Sequence, residues 1–136
     1  MAYQQMIFVN LAVQDLEVSK KFFSELGYSF NPQFSDDTTA CLVISDTIFA
    51  MLLTEPRFAD FATKPVVDST KSTEVLLCLS AESRAKVDEL ADKALAAGGS
   101  PAKDPIDFGQ MYGRSFQDPD GHHWEVMWMD PAAVQG

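Results

Sequence analysis

Basic residues are scarce in this sequence. Ten lysines and arginines stand against twenty aspartates and glutamates, a formal charge of -10. Nonspecific attachment to nucleic acid rests on clustered Lys and Arg, so no nucleic-acid partner is expected. A small anionic ligand stays open, because one pocket arginine outweighs the global field nearby. Cysteine is scarce too. Cys41 and Cys78 are the only two, each inside an apolar strand-like run. That reads as two buried free thiols in a reducing compartment, not as a disulfide framework. Long hydrophobic runs are missing. A run such as Ile48 to Leu53 is of strand length, far short of the ~20 residues a spanning helix needs. The N-terminus has no basic region followed by an apolar core and a cleavage site. A cytoplasmic protein with no membrane segment is therefore expected.

What is present is ordinary globular material. The 136 residues are 46% hydrophobic and 22% charged, enough for one domain with a real core. Two stretches repeat one unit. Phe8-Val9-Asn10-Leu11-Ala12-Val13 leads into a helical segment that stops at Leu26-Gly27. Glu74-Val75-Leu76-Leu77-Cys78-Leu79 leads into another that stops at Gly98-Gly99. The duplication makes Phe8 and Glu74 equivalent. It divides a single domain, 1–136, into a module over about 5–54, a linker over about 55–72 and a module over about 73–130.

Local signals fill in the elements. Asp15 is an N-cap, followed by Leu16, Ser19, Phe22, Phe23 and Leu26 at helical spacing, with Gly27 as the stop. Strands are expected at about 28–33, 39–45 and 47–53. The linker holds Pro56 and Pro65 without periodicity. Its Phe58 and Phe61 suggest either a pocket lid or a plain crossover. In the second half Ser80 caps a helix whose apolar face is Val87, Leu90, Ala91, Ala94 and Leu95. Strands follow at about 101–105, 111–117 and 123–129, the last two joined by an Asp118-Pro119-Asp120-Gly121 turn.

Strand alternation assigns the faces. Ile7, Val9, Leu11 and Val13 should face the helices, and Phe8, Asn10 and Ala12 the other way. Val75, Leu77, Leu79, Trp124, Val126 and Trp128 form the matching set in the second half. Glu74, Leu76, Cys78, His123, Glu125 and Met127 then share an inner face. Two carboxylates on an apolar surface need a cation, a partner such as Arg114, a shared proton, or open water. Tyr112 and Arg114 alternate on one strand face and both can point inward, where the arginine suits a ligand carboxylate or phosphate. Asn10 can orient a ligand carbonyl. His122 closes a turn.

The phrase Val13-x-Asp15-Leu16-x-x-Ser19-x-x-Phe22-Phe23-x-x-Leu26-Gly27 resembles the opening of the vicinal oxygen chelate superfamily. Phe116-x-Asp118-Pro119-Asp120-Gly121-His122-x-x-Glu125 resembles its closing strand. Within it the chain looks most like the glyoxalase-like proteins labelled predicted lactoylglutathione lyases. The resemblance implies an α+β fold of two βαβββ modules forming a cupped mixed sheet with helices outside. It implies a divalent ion (Zn, Ni, Mn or Mg) held by residues of the first and last strands of each module, and a homodimer around a small-molecule ligand. Carried over residue by residue, Glu125 and Glu74 fall on metal-ligand positions and double as catalytic groups. The other two positions fall at Phe8 and at Ala50, Met51 or Leu52, which cannot serve a hard cation. Phe8, Asn10, Met51, Tyr112, Arg114 and His123 are the expected substrate-binding set. The implied activity is a glyoxalase-like lyase or isomerase acting on a small oxygenated or thiol-conjugated molecule. The alternative is a metal-free binding protein of the bleomycin-resistance type, for which Phe8, Phe49 and Met51 would line an apolar pocket.

Overall fold

A computed structural model describes residues 2–132 of the chain. The chain divides into two compact units, Met1–Val67 and Asp68–Gly136. Unit 1 runs β1 (Ile7–Val13), α1 (Leu16–Glu25), β2 (Ser29–Phe30), a 3-10 turn (Pro32–Phe34), β3 (Thr39–Val43), β4 (Ile48–Thr54) and α2 (Glu55–Phe61). Its sheet has the order β1-β4-β3-β2. The first strand pairs parallel with the last, and the others are antiparallel.

The cap of α1 forms as the sequence predicts. The Asp15 carboxylate accepts the backbone N–H of Glu17 at 3.0 Å and of Val18 at 3.3 Å, which typically stabilises a helix by about 1 kcal/mol. Gly27 ends it at φ +102, a backbone that a Cβ would strain. The buried face of α1, Leu16, Ser19, Phe22 and Phe23, packs on β3 and β4. Phe22 and Phe23 meet edge to face at 4.9 Å, and Leu11, Val13, Leu42, Ala50 and Leu52 complete this core.

Unit 2 runs β5 (Leu76–Ser80), α3 (Arg84–Ala96), β6 (Ser100–Pro101), β7 (Ile106–Asp107), β8 (Met111–Gln117) and β9 (His123–Met129). The sheet order is β5-β9-β8-β6, with β7 also on β8. Again the first strand pairs parallel with the last. Val87 and Ala91 of α3 pack on Val126, with Tyr112 and Trp128 beside them.

Each unit therefore has a mixed sheet with a long helix on one face, α1 in unit 1 and α3 in unit 2, and the fold is α+β. Four local expectations change. The expected strand 28–33 is only Ser29–Phe30, because Pro32 opens the 3-10 turn Pro32–Phe34. The α3 cap is Ser83, which accepts the N–H of Lys86 at 3.1 Å, not Ser80, which lies in β5. The expected strand 101–105 is two short pieces, β6 and β7, on β8. The expected linker 55–72 starts with α2, nucleated by Pro56 in its first turn. Its far end belongs to unit 2, where Ser69 Oγ donates to the Asp120 carbonyl at 2.6 Å. Among the described residues no helix is long and apolar enough to cross a membrane.

Candidate functional site

In unit 1 the β1–β4 register places Phe8 beside Phe49, Asn10 beside Met51 and Ala12 beside Leu53. All six share the face away from α1, because side chains alternate and α1 covers the other set. The Phe8 and Phe49 rings are nearly parallel, 10° apart, at 4.8 Å between centroids. Phe8 keeps 44% of its surface exposed. A stacked pair left open on one side offers ring surface to a visiting molecule.

α2 folds back against β1 and β4. It encloses an open pocket of about 410 Å³ lined by Asn10, Leu53, Phe58, Phe61 and Ala62. Ligand pockets typically span about 300–1,000 Å³, so this one admits an organic molecule. Asn10 is its only polar side chain. The Asn10 amide donates to the Phe8 carbonyl at 3.1 Å, leaving its oxygen and second N–H for a ligand. Arg57 lies over the Phe61 ring at 4.6 Å and pairs with Asp60 at 3.4 Å. Both ties stiffen the outer wall without bringing a charge among the lining residues.

In unit 2 the parallel register sets Cys78 beside Glu125 and Leu76 beside His123. The His123 Nε2 lies 3.1 Å from Glu125 Oε2, with the two side chains 12% and 27% exposed. The Cys78 thiol is pushed up by partial burial and then by the Glu125 charge, which keeps it protonated and a poor nucleophile. The expectation of two buried thiols holds for Cys41 and fails for Cys78, which is exposed because β5 is an edge strand. A dent lined by Gly113, Ser115, Glu125 and Met127 among others holds only about 10 Å³, room for one water.

Tyr112 and Arg114 do not join Glu125. Ser115 is the β8 residue opposite Glu125, while Arg114 is opposite Val126, so both turn to the α3 side. The Tyr112 hydroxyl donates to Asp88 Oδ1 at 2.6 Å. Arg114 donates to Asp88 at 3.1 Å and to Asp92 at 2.8 Å. Arg84 closes the network, at 4.9 Å from the Tyr112 ring and in a two-pronged bond to Asp107 at 2.6 and 3.0 Å. These groups fasten α3 and the β7 region to the sheet.

Glu74 lies two residues before β5 and is exposed. The equivalence of Phe8 and Glu74 also shifts. Phe8 stands seven residues before the cap Asp15, and Leu76 stands seven before the cap Ser83. Leu76 is thus the counterpart of Phe8. Phe8 and Leu76 have no donor atom, and Met51 offers a thioether unsuited to a hard cation. Among the described residues no three His, Cys, Asp or Glu side chains gather as a metal cage would require. The donor set does not fit a resident divalent ion.

Leu53, Phe58 and Phe61 were not among the expected site residues. Phe58 and Phe61 carried a signal, a pair of aromatics in a connection with no periodicity of its own, while Leu53 lies in β4 and carried none.

Comparison with known proteins follows the same lines. The family described as bleomycin resistance protein-like N-terminal matches residues 5–45. A hypothetical protein from S. aureus is 30% identical, with a TM-score of 0.77 over 93% of this chain and 95% of that one. A glyoxalase/bleomycin resistance protein from Albidiferax ferrireducens T118 is 25% identical, with a TM-score of 0.64 over 89% and 95%. A glyoxalase-related enzyme from Fulvimarina pelagi, 22% identical, has the same fold at a TM-score of 0.77 over 93% and 88%. No curated protein matches.

Proposed function

The chain belongs to the vicinal oxygen chelate superfamily of glyoxalases, bleomycin-resistance proteins and dioxygenases, and on that premise we propose that it binds a small organic molecule without a metal. The observation that carries this reading is the 410 Å³ pocket between α2 and the β1–β4 pair. Phe8, Met51 and Leu76 stand where the superfamily's metal chemistry calls for ligating side chains. Apolar walls gain about 25 cal/mol per Å² of ligand surface removed from water. A two-ring molecule burying about 200 Å² gains about 5 kcal/mol on that scale, before the cost of immobilising it.

The neutral fluorescent probe N-phenyl-1-naphthylamine tests this. It should bind, and Phe58→Ala should weaken it about tenfold. Chelator, or return of Zn²⁺, Ni²⁺, Mn²⁺ or Mg²⁺, should change neither probe affinity nor melting temperature. No probe binding, or an ion-dependent rise of several degrees that is lost in Glu125→Ala, would overturn the reading.

A second reading is favoured by the half-buried His123–Glu125 pair. A carboxylate and an imidazole in contact can pass a proton between neighbouring carbons of a bound substrate, as a glyoxalase-like lyase or isomerase requires. Glu125→Gln separates the two. A binding protein keeps its function in that variant, and a proton-transfer catalyst loses it.

A further inference from the structure

We infer that the unit 1 pocket selects an uncharged planar aromatic molecule carrying a carboxamide or lactam edge, an inference that rests on the binding function proposed above. Four of its five lining residues, Leu53, Phe58, Phe61 and Ala62, have side chains of carbon alone. No lysine, arginine, aspartate or glutamate side chain is among them. An ion held against these walls gives up part of its hydration with no oppositely charged lining side chain to replace it, and desolvating an unpaired charge is costly. The stacked Phe8–Phe49 pair lies two residues along the same strand face from Asn10 and Met51. Its open side adds a flat surface that matches a flat ring.

The polar selection comes from Asn10. One of its N–H groups is committed to the Phe8 carbonyl. The remaining N–H and the oxygen belong to one planar amide, which offers a ligand both a donor and an acceptor. Their complement is a donor next to an acceptor, the edge of a primary amide or a lactam. A carboxylate has no donor to meet the Asn10 oxygen, and an ammonium has no acceptor for its N–H. Each wrong group meets only one half of the Asn10 edge, making one hydrogen bond where an amide makes two.

The test uses four probes of one skeleton: naphthalene, 2-naphthamide, 2-naphthoate and 2-naphthylmethylammonium. Calorimetry and amide chemical-shift mapping on the full chain give affinity and location. The expected result is 2-naphthamide at least tenfold tighter than either ion, with shifts centred on Asn10, Phe58 and Phe61. Asn10→Leu, which keeps the size and removes the edge, should abolish the amide's advantage and leave naphthalene binding in place. Equal affinities, or an ion bound more tightly than the amide, would overturn the ligand class while leaving the pocket standing. Failure of all four probes to bind, with no shifts near Phe58 or Phe61, would overturn the pocket and this inference together. An amide preference that survives in Asn10→Leu would remove Asn10 from the recognition and overturn the argument made here.

Discussion

Replacing Asp118 by asparagine keeps the shape of the side chain and turns one of its oxygens into an amino group. Asp118 Oδ1 accepts the backbone N–H groups of Asp120 and His122, both at 3.0 Å. Its Oδ2 accepts the indole N–H of Trp124, also at 3.0 Å. The site is closed to water, with Asp118 5% and Trp124 1% exposed. An asparagine can hold its carbonyl on the two backbone donors. Its amino group then faces the indole N–H, donor against donor. Losing one bond to a charged acceptor in a buried site costs about 2–3 kcal/mol. Asp118→Ala forfeits all three bonds and should cost about 3–5 kcal/mol. In a Trp124→Phe background the opposing donor is gone, so Asp118→Asn should cost at least about 1 kcal/mol less. Urea unfolding followed by tryptophan fluorescence measures this. Both tryptophans, Trp124 and Trp128, lie in unit 2, so the signal follows that unit, and Trp128 still reports when Trp124 is replaced. An Asp118→Asn change within about 0.5 kcal/mol of wild type, or an equal cost in both backgrounds, would refute the claim that this carboxylate holds the turn through the indole.

Gly121 sits at φ +85, and a Cβ there would lie 2.7 Å from the backbone oxygen of Ser69. Neither the left-handed backbone nor a main-chain neighbour yields cheaply, so Gly121→Ala should lower unit 2 stability by roughly 2–3 kcal/mol in the same unfolding assay. The Asp107 carboxyl is held down to about 2 by its bond to Arg84 and then by the Gly109 N–H. A depressed carboxyl contributes stability in full above its unfolded value of 3.8 and loses it as pH falls through about 2. Carboxyl NMR titration of Arg84→Met should return the Asp107 midpoint toward 3.8, and an unchanged midpoint would remove Arg84 as the cause.

The strongly patterned elements were legible. Asp15 and Gly27 bracket α1 as read, and β1, β4, β8 and β9 lie within a residue or two of expectation. The in–out alternation of Trp124, Glu125 and Val126 also matches their burial. What went astray turns on tertiary choices between equally good local signals. Ser80 and Ser83 are both sound caps, and only the bond to the Lys86 N–H distinguishes them. Counted seven residues back from Ser83, the counterpart of Phe8 is Leu76 and not Glu74, which removes one carboxylate from the inner face. Tyr112 and Arg114 were assigned without a register. The turn after Gln117 does carry one, because pairing Gln117 with His123 sets Arg114 opposite Val126. The α2 helix is too short for its period to show, and its contribution to the pocket comes from docking on β1 and β4.

In both sheets the strand made last occupies an inner place. β4 lies between β1 and β3, and β9 lies between β5 and β8. During synthesis the hydrophobic faces of the earlier strands have no common neighbour until that strand emerges. Unit 1 reaches this point at Thr54, early in translation. Unit 2 waits for Met129. The N-terminal unit can therefore fold on the ribosome while its sibling remains open and exposed to aggregation. A premature stop at the start of β9 would remove the middle of the second sheet and leave every strand of the first in place.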